Sequence, residues 1–143
     1  MNPFMEENSI TNKQTLNEND LRYFTGDLTR FRHALNRSVI YTPGVQHVAE
    51  KGDAYWLIDA IASYLTARYL KPIIAEDSRV AAIQFWELTV TKDNSAVLEA
   101  RADAGGQPFV RQEIEFTDFP LGSIRIWAGF DGRLRTHHLS WEH

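Results

Sequence analysis

The period of the hydrophobic positions changes once along the chain. Between residues 43 and 69, apolar side chains recur every three or four positions, whereas from residue 84 onward they alternate with polar ones. The first spacing is typical of an amphipathic helix, and alternation is typical of a strand with one buried face. The pattern therefore predicts an α+β fold, with helices in the first half of the chain and a sheet in the second.

Two helices are predicted between residues 42 and 69. The pair Thr42-Pro43 suits the start of the first, because threonine caps a helix and proline is tolerated at its first position. Gly52 is expected to end that helix. Asp53 is expected to cap the second helix, which we predict runs to about Tyr69 and covers one face of the sheet.

Short turns separate the alternating segments of the second half. Val39–Tyr41 also has strand character, and residues 72–83, beginning with Pro72, are predicted to form a connection. Parallel neighbours would need crossovers of about a dozen residues or more. We therefore expect a four- or five-stranded antiparallel meander with the N-terminal helices packed on one face. Its strands are predicted at 84–91, 96–103, 109–116 and 123–130, with a fifth at 133–141.

Length and composition indicate one soluble domain. The 143 residues suit a flexible arm at 1–17 followed by a single domain at 18–143. The chain has no cysteine, a net charge of −4, and no apolar run near the roughly 18 residues that span a bilayer. We therefore expect a cytoplasmic protein that binds neither membranes nor nucleic acid. The basic, aromatic stretch from Arg22 to Arg37 is the exception that would suit single-stranded nucleic acid.

The outer face of the predicted sheet is the favoured contact surface. Alternation places Phe85 and Trp127 on its charged side, and exposed aromatic rings there suggest a protein interface. We expect an interaction module that self-associates or binds a protein partner, with contacts from Phe85, Arg111, Glu113, Arg125 and Trp127. The alternative is that the N-terminal arm or the 72–83 connection covers this face.

A second group of residues allows a different function. His33, Asn36, Arg37, Tyr41, His47, Tyr55 and Asp59 surround the start of the helices. In a small-ligand binder or hydrolase-like enzyme, His47 would be the base, Asp59 its orienting carboxylate and Arg37 the anion anchor. Tyr55 and Asp59 are the binding candidates of this group. The alternative is that these side chains only tie down the preceding loop.

The remaining sequence features predict no cofactor. The chain has no phosphate-binding glycine loop, serine-nucleophile motif or His-Glu-x-x-His zinc pattern. The segment from His137 to His143 contains possible metal ligands, but their spacing matches no recognised site. We expect this segment to be a solvated terminal strand.

Several short motifs resemble a bacterial domain family of unknown function whose genes often lie on mobile elements. The shared motifs are Asn36-Arg37, Tyr41-Thr42-x-Gly44, Ala54-Tyr55-Trp56-Leu57-x-Asp59, the strand from Phe85 to Val90, and Thr117-Asp118-Phe119-Pro120. The resemblance covers roughly residues 20–130 and leaves out the tail after Gly132. It implies a compact single domain and no particular activity.

Overall fold

The computed structural model describes residues 30–133 and 135–141. Over these residues the chain forms a seven-stranded sheet, three α-helices and a 3-10 turn. The predicted arm at 1–17, the start of the basic stretch at Arg22, and His143 lie outside the described residues. In chain order, the elements are β1 Phe31–Arg32, β2 Val39–Tyr41, α1 Pro43–Lys51, α2 Tyr55–Tyr64, α3 Ala67–Glu76, the 3-10 turn Ser78–Ala81, β3 Ile83–Val90, β4 Ala96–Arg101, β5 Pro108–Ile114, β6 Ser123–Asp131 and β7 Thr136–Trp141.

The sheet is mixed and has seven strands among the described residues, so the predicted four- or five-stranded antiparallel meander with N-terminal helices is wrong. Two of the strands, β1 and β2, come before the three described helices in the chain. Across the described residues, the strand order is β1-β2-β7-β6-β3-β4-β5, and β2 pairs with β7 in parallel. The crossover for this parallel pair is the whole chain between Tyr41 and Thr136. The antiparallel prediction rested on the short turns between the later strands and did not consider this long connection.

The strand β6 also departs from a meander. It pairs with β3 instead of β5, which gives the Greek-key order β6-β3-β4-β5. The segment 115–122 carries the chain back across the sheet, and its buried residues Thr117 and Phe119 fix it to the rest of the domain. The short loop before β6 therefore connects strands that are not neighbours.

Helix α1 forms as its sequence predicts. The Thr42 hydroxyl accepts a hydrogen bond from the backbone N–H of Val45 at 3.3 Å, and the N–H of Gly52 donates to the Val48 carbonyl at 2.9 Å. The predicted cap at Asp53 is wrong, because this residue adopts a left-handed backbone with φ of 50°. The next helix begins two residues later, at Tyr55.

The predicted second helix is divided into α2 and α3. Helix α2 ends at Tyr64, and the Asn36 side-chain amide donates to the carbonyls of Ala62 and Leu65 at 2.9 and 3.2 Å. Thr66 then caps α3 by accepting from the N–H of Tyr69. Pro72 lies inside α3, so the connection predicted at 72–83 is largely helical.

The helices cover one face of the sheet, which we call the inner face. Trp86 of β3 is 1% exposed, and its ring lies 5.6 Å from that of Tyr64 at the end of α2. The Tyr64 hydroxyl donates to Gln112 of β5 at 2.8 Å. This packing leaves the other side, the outer face, without helices among the described residues. Nor does any described helix have the length and apolar character needed to cross a membrane.

Candidate functional site

The aromatic pair predicted for the outer face is present. Phe85 of β3 lies directly opposite Trp127 of β6 in the register. Their rings meet edge to face, with centroids 5.6 Å apart and an interplanar angle of 76°. Trp127 is 38% exposed and Phe85 is half-buried. The pair therefore forms an apolar patch that reaches solvent on an otherwise polar surface.

Charged side chains beside this pair alternate in sign across four strands. Arg125 Nε lies 3.2 Å from Glu87 Oε2, and Arg101 Nη2 lies 2.9 Å from Glu99 Oε1. Such pairs contribute roughly 0.2–1 kcal/mol each, so they neutralise the face more than they stabilise the fold. Successive contacts link, in order, Arg125, Glu87, Arg101, Glu99, Arg111 and Glu113.

Asp59, a member of the second candidate group, pairs with His33. The Asp59 Oδ1 atom lies 2.7 Å from His33 Nε2. The other ring nitrogen, Nδ1, accepts from the backbone N–H groups of Asn36 and Leu35 at 2.9 and 3.2 Å. Because Nδ1 is an acceptor in this turn, Nε2 carries the proton and donates it to Asp59. This arrangement fixes the loop between β1 and β2, and it leaves His33 no free lone pair with which to act as a base.

Tyr41 lies near this pair, and Tyr55 lies near Tyr41. Burial raises the pKa of Tyr41, and the nearby Asp59 carboxylate raises it further. Burial also raises the pKa of Tyr55, with smaller contributions from Glu50 and Tyr41. Both phenols therefore stay protonated and neutral near pH 7. Tyr55 is 45% exposed and lies on the surface beside this group.

The roles assigned to His47 and Arg37 in the enzyme hypothesis stay predictions. His47 is half-buried, and Arg37 is exposed in the loop between β1 and β2. The backbone carbonyl of Arg37 accepts a hydrogen bond from the Arg32 guanidinium. This hydrogen bond joins the two ends of the loop and does not involve the Arg37 side chain.

A cavity of about 640 Å³ opens between the helices and the β6–β7 end of the sheet. Leu65, Leu70 and Val80 form part of its apolar wall on the helical side, and Phe130 contributes from β6. The sequence did not reveal this cavity, because residues 72–83 were predicted to form a connection and not to continue the helix α3 that lines it.

His137 forms part of the wall of this cavity. The residue is 9% exposed, and its Nδ1 is buried without a hydrogen-bond partner among the described residues. Its ring lies 4.7 Å from that of Phe130. Burial, with a smaller effect of His138, lowers the pKa of His137 to about 4, so the imidazole is neutral near pH 7.

The solvated terminal strand predicted for the C-terminal segment is therefore wrong. β7 lies between β2 and β6, where His137 and Leu139 are buried. The residues that the structure describes contain no cluster of three or more histidine and acidic side chains placed to hold a metal ion.

The family model for a family of unknown function, DUF6876, matches residues 15–143. The chain belongs to this family. The DUF6876 match extends through the C-terminal segment, which the motif resemblance had left out. The predicted membership of a family of unknown function is confirmed. No curated protein matches the chain significantly, and neither does any solved structure.

Proposed function

We propose that this DUF6876 chain is a small interaction module that self-associates through the outer face of its sheet. The observation that carries the proposal is the exposed edge-to-face pair of Phe85 and Trp127. Tryptophan at the centre of an interface supplies a large share of the binding energy. The charges around the pair already neutralise one another, so a second copy can cover them without leaving a single charge unpaired.

The order of the side chains across the sheet supports a two-fold arrangement. Consider two copies packed face to face, related by a two-fold axis that runs parallel to the strands and midway between β3 and β6. Trp127 of each copy then packs against Phe85 of the other copy. The same axis sets each Arg125 against Glu87 of the second copy. An axis between β3 and β4 would instead set Glu87 against Glu99, a like-charge pair. The register therefore favours the axis beside the aromatic pair.

The mass of the protein in solution tests this proposal. We expect sedimentation equilibrium to give twice the chain mass for the natural protein. Trp127→Glu should weaken association at least about tenfold, as expected for loss of a central aromatic residue. Leu35→Glu is the matched control, because Leu35 is 90% exposed but lies in the loop between β1 and β2. A monomeric natural protein, or equal effects of the two substitutions, would contradict the proposal.

A charge exchange tests the position of the axis. Arg125→Glu places like charges together both within the copy and across the proposed interface, so it should weaken association. Adding Glu87→Arg restores opposite signs at both places and should recover part of the affinity, but not all of it, because the new side chain also lies beside Arg101. Failure of the double variant to recover any affinity, in a protein that still folds, would rule out this axis.

The wider setting is also proposed from the sequence. We infer a cytoplasmic protein, of bacterial origin and carried on mobile elements, that binds neither membranes nor nucleic acid. Growth of a tagged strain followed by cell fractionation would test the location. Recovery in the membrane fraction would contradict it.

A further inference from the structure

We propose that the cavity between α2, α3 and the β6–β7 end of the sheet binds a small apolar carboxylate, whose anionic group meets His137 and Arg135. This site is separate from the outer face, and the proposal does not depend on self-association. The two proposals can therefore fail independently.

The size and the wall of the cavity define the body of the ligand. Its volume of about 640 Å³ falls within the range of roughly 300–1,000 Å³ that is usual for small-molecule sites. Leu65, Leu70, Ile74 and Phe130 line much of it. Such a wall favours an alkyl chain or an aromatic ring over a sugar or a nucleotide.

His137 supplies a polar contact that the fold itself does not use. The imidazole is buried and lines the cavity, and its Nδ1 is closed to water and has no hydrogen-bond partner in the described part of the chain. Nε2 is therefore the ring nitrogen that can meet a ligand. With its proton on Nε2, the neutral ring can donate one hydrogen bond to a carboxylate oxygen.

The charges around the cavity favour an anion over a cation. Arg135 lines it, and no acidic side chain is present among the described residues of the wall. Thr66 and Ala67, the cap and first residue of the ten-residue helix α3, also line the cavity. The amino end of a helix carries partial positive charge and free N–H groups, which attract an anionic group. An apolar body with one carboxylate satisfies both the wall and these charges.

Titration of the full-length protein with octanoate tests the proposal. We expect octanoate to bind at least about tenfold more tightly than 1-octanol or octylamine, which have the same chain with a neutral or positive end. Nuclear magnetic resonance of the histidine rings should show the signals of His137 shifting with octanoate while those of His33 stay unchanged. Unchanged His137 signals at millimolar octanoate, or equal affinity for octylamine, would overturn the proposal.

Substitutions then locate the two ends of the ligand. Arg135→Gln should weaken the binding of octanoate about tenfold and leave the binding of 1-octanol unchanged. Arg133 lies in the same loop but outside the cavity wall, so Arg133→Gln should change the binding of neither ligand. Ile74→Trp should fill the cavity and abolish binding of both. A urea unfolding curve for each variant confirms that it folds. Undiminished octanoate binding by folded Ile74→Trp would place the ligand elsewhere and overturn the assignment.

Discussion

The ring of Phe119 lies against the α carbon of Gly52. A methyl group added at Gly52 would lie 2.8 Å from Phe119 Cε1 and 2.8 Å from the Val48 carbonyl oxygen. This contact joins the end of α1 to the segment that carries the chain from β5 to β6. It therefore helps to hold the connection that creates the Greek-key order, and it brings together two segments that lie far apart in the sequence.

Gly52→Ala is expected to destabilise the fold. The backbone φ of −90° is accessible to alanine, so the effect comes from crowding against Phe119 and the Val48 carbonyl oxygen, at about 1–3 kcal/mol of unfolding free energy. Urea unfolding measures this loss. Gly122→Ala is the control, because nothing lies within 4 Å of a methyl group there, and Phe119→Leu should recover part of the loss. A Gly52→Ala protein as stable as the natural one would show that the ring can move aside.

Asn36→Asp should weaken the junction between α2 and α3. The substitution removes the donor that bonds the carbonyls of Ala62 and Leu65, and it places a negative charge beside them. We expect a loss of about 2–3 kcal/mol in unfolding free energy, because buried acceptors lose their partner. Asn94→Asp, at an exposed turn, makes the same chemical change and should cost little. Equal losses for the two variants would mean that the Asn36 bonds add no stability.

Gln84→Leu should leave a buried indole without its acceptor. Gln84 is 1% exposed, and its Oε1 accepts from Trp86 Nε1 at 3.0 Å, while its amide donates to the Val80 carbonyl. A loss of about 1–3 kcal/mol is expected from the unpaired groups. Combining Gln84→Leu with Trp86→Phe should cost less than the sum of the single changes. Simple additivity in thermal unfolding would show that the two side chains are not coupled.

The stability of the protein should fall between pH 6.5 and pH 4 because of His137. Burial lowers the pKa of this residue to about 4 in the folded state, against 6.5 as its ordinary value. As the pH falls through this window, the unfolded chain takes up a proton that the folded chain refuses, so unfolding becomes easier. At pH 5 this effect lowers the free energy of unfolding by about 2 kcal/mol.

Replacement of the ring isolates this contribution. His137→Phe should lose less stability than the natural protein between pH 7 and pH 5, whereas His138→Gln should keep the natural slope. Urea midpoints at the two pH values provide the comparison. Identical slopes for all three proteins would show that His137 does not titrate with a depressed pKa.

The candidate surfaces differ in how far the sequence could reveal them. Alternation along β3 and β6 is a local property of each strand, so it correctly set Phe85 and Trp127 on the same polar face. The sequence could not show which histidine pairs with Asp59, because both His33 and His47 lay in the candidate group. The backbone turn that presents His33 to Asp59 lies in the loop before β2, and this loop contacts the end of α2 through the Asn36 side chain.

The sequence by itself determined the features that depend on neighbouring residues. These include the cap at Thr42 and the strands with alternating side chains. The tertiary structure decided which strands became neighbours, where the second helix was interrupted, and that a cavity formed beside His137. Those outcomes depend on contacts between distant segments, such as Asn36 with Leu65 and Phe119 with Gly52. Local periodicity carries no information about which distant groups will meet, because many strand orders bury the same apolar faces equally well.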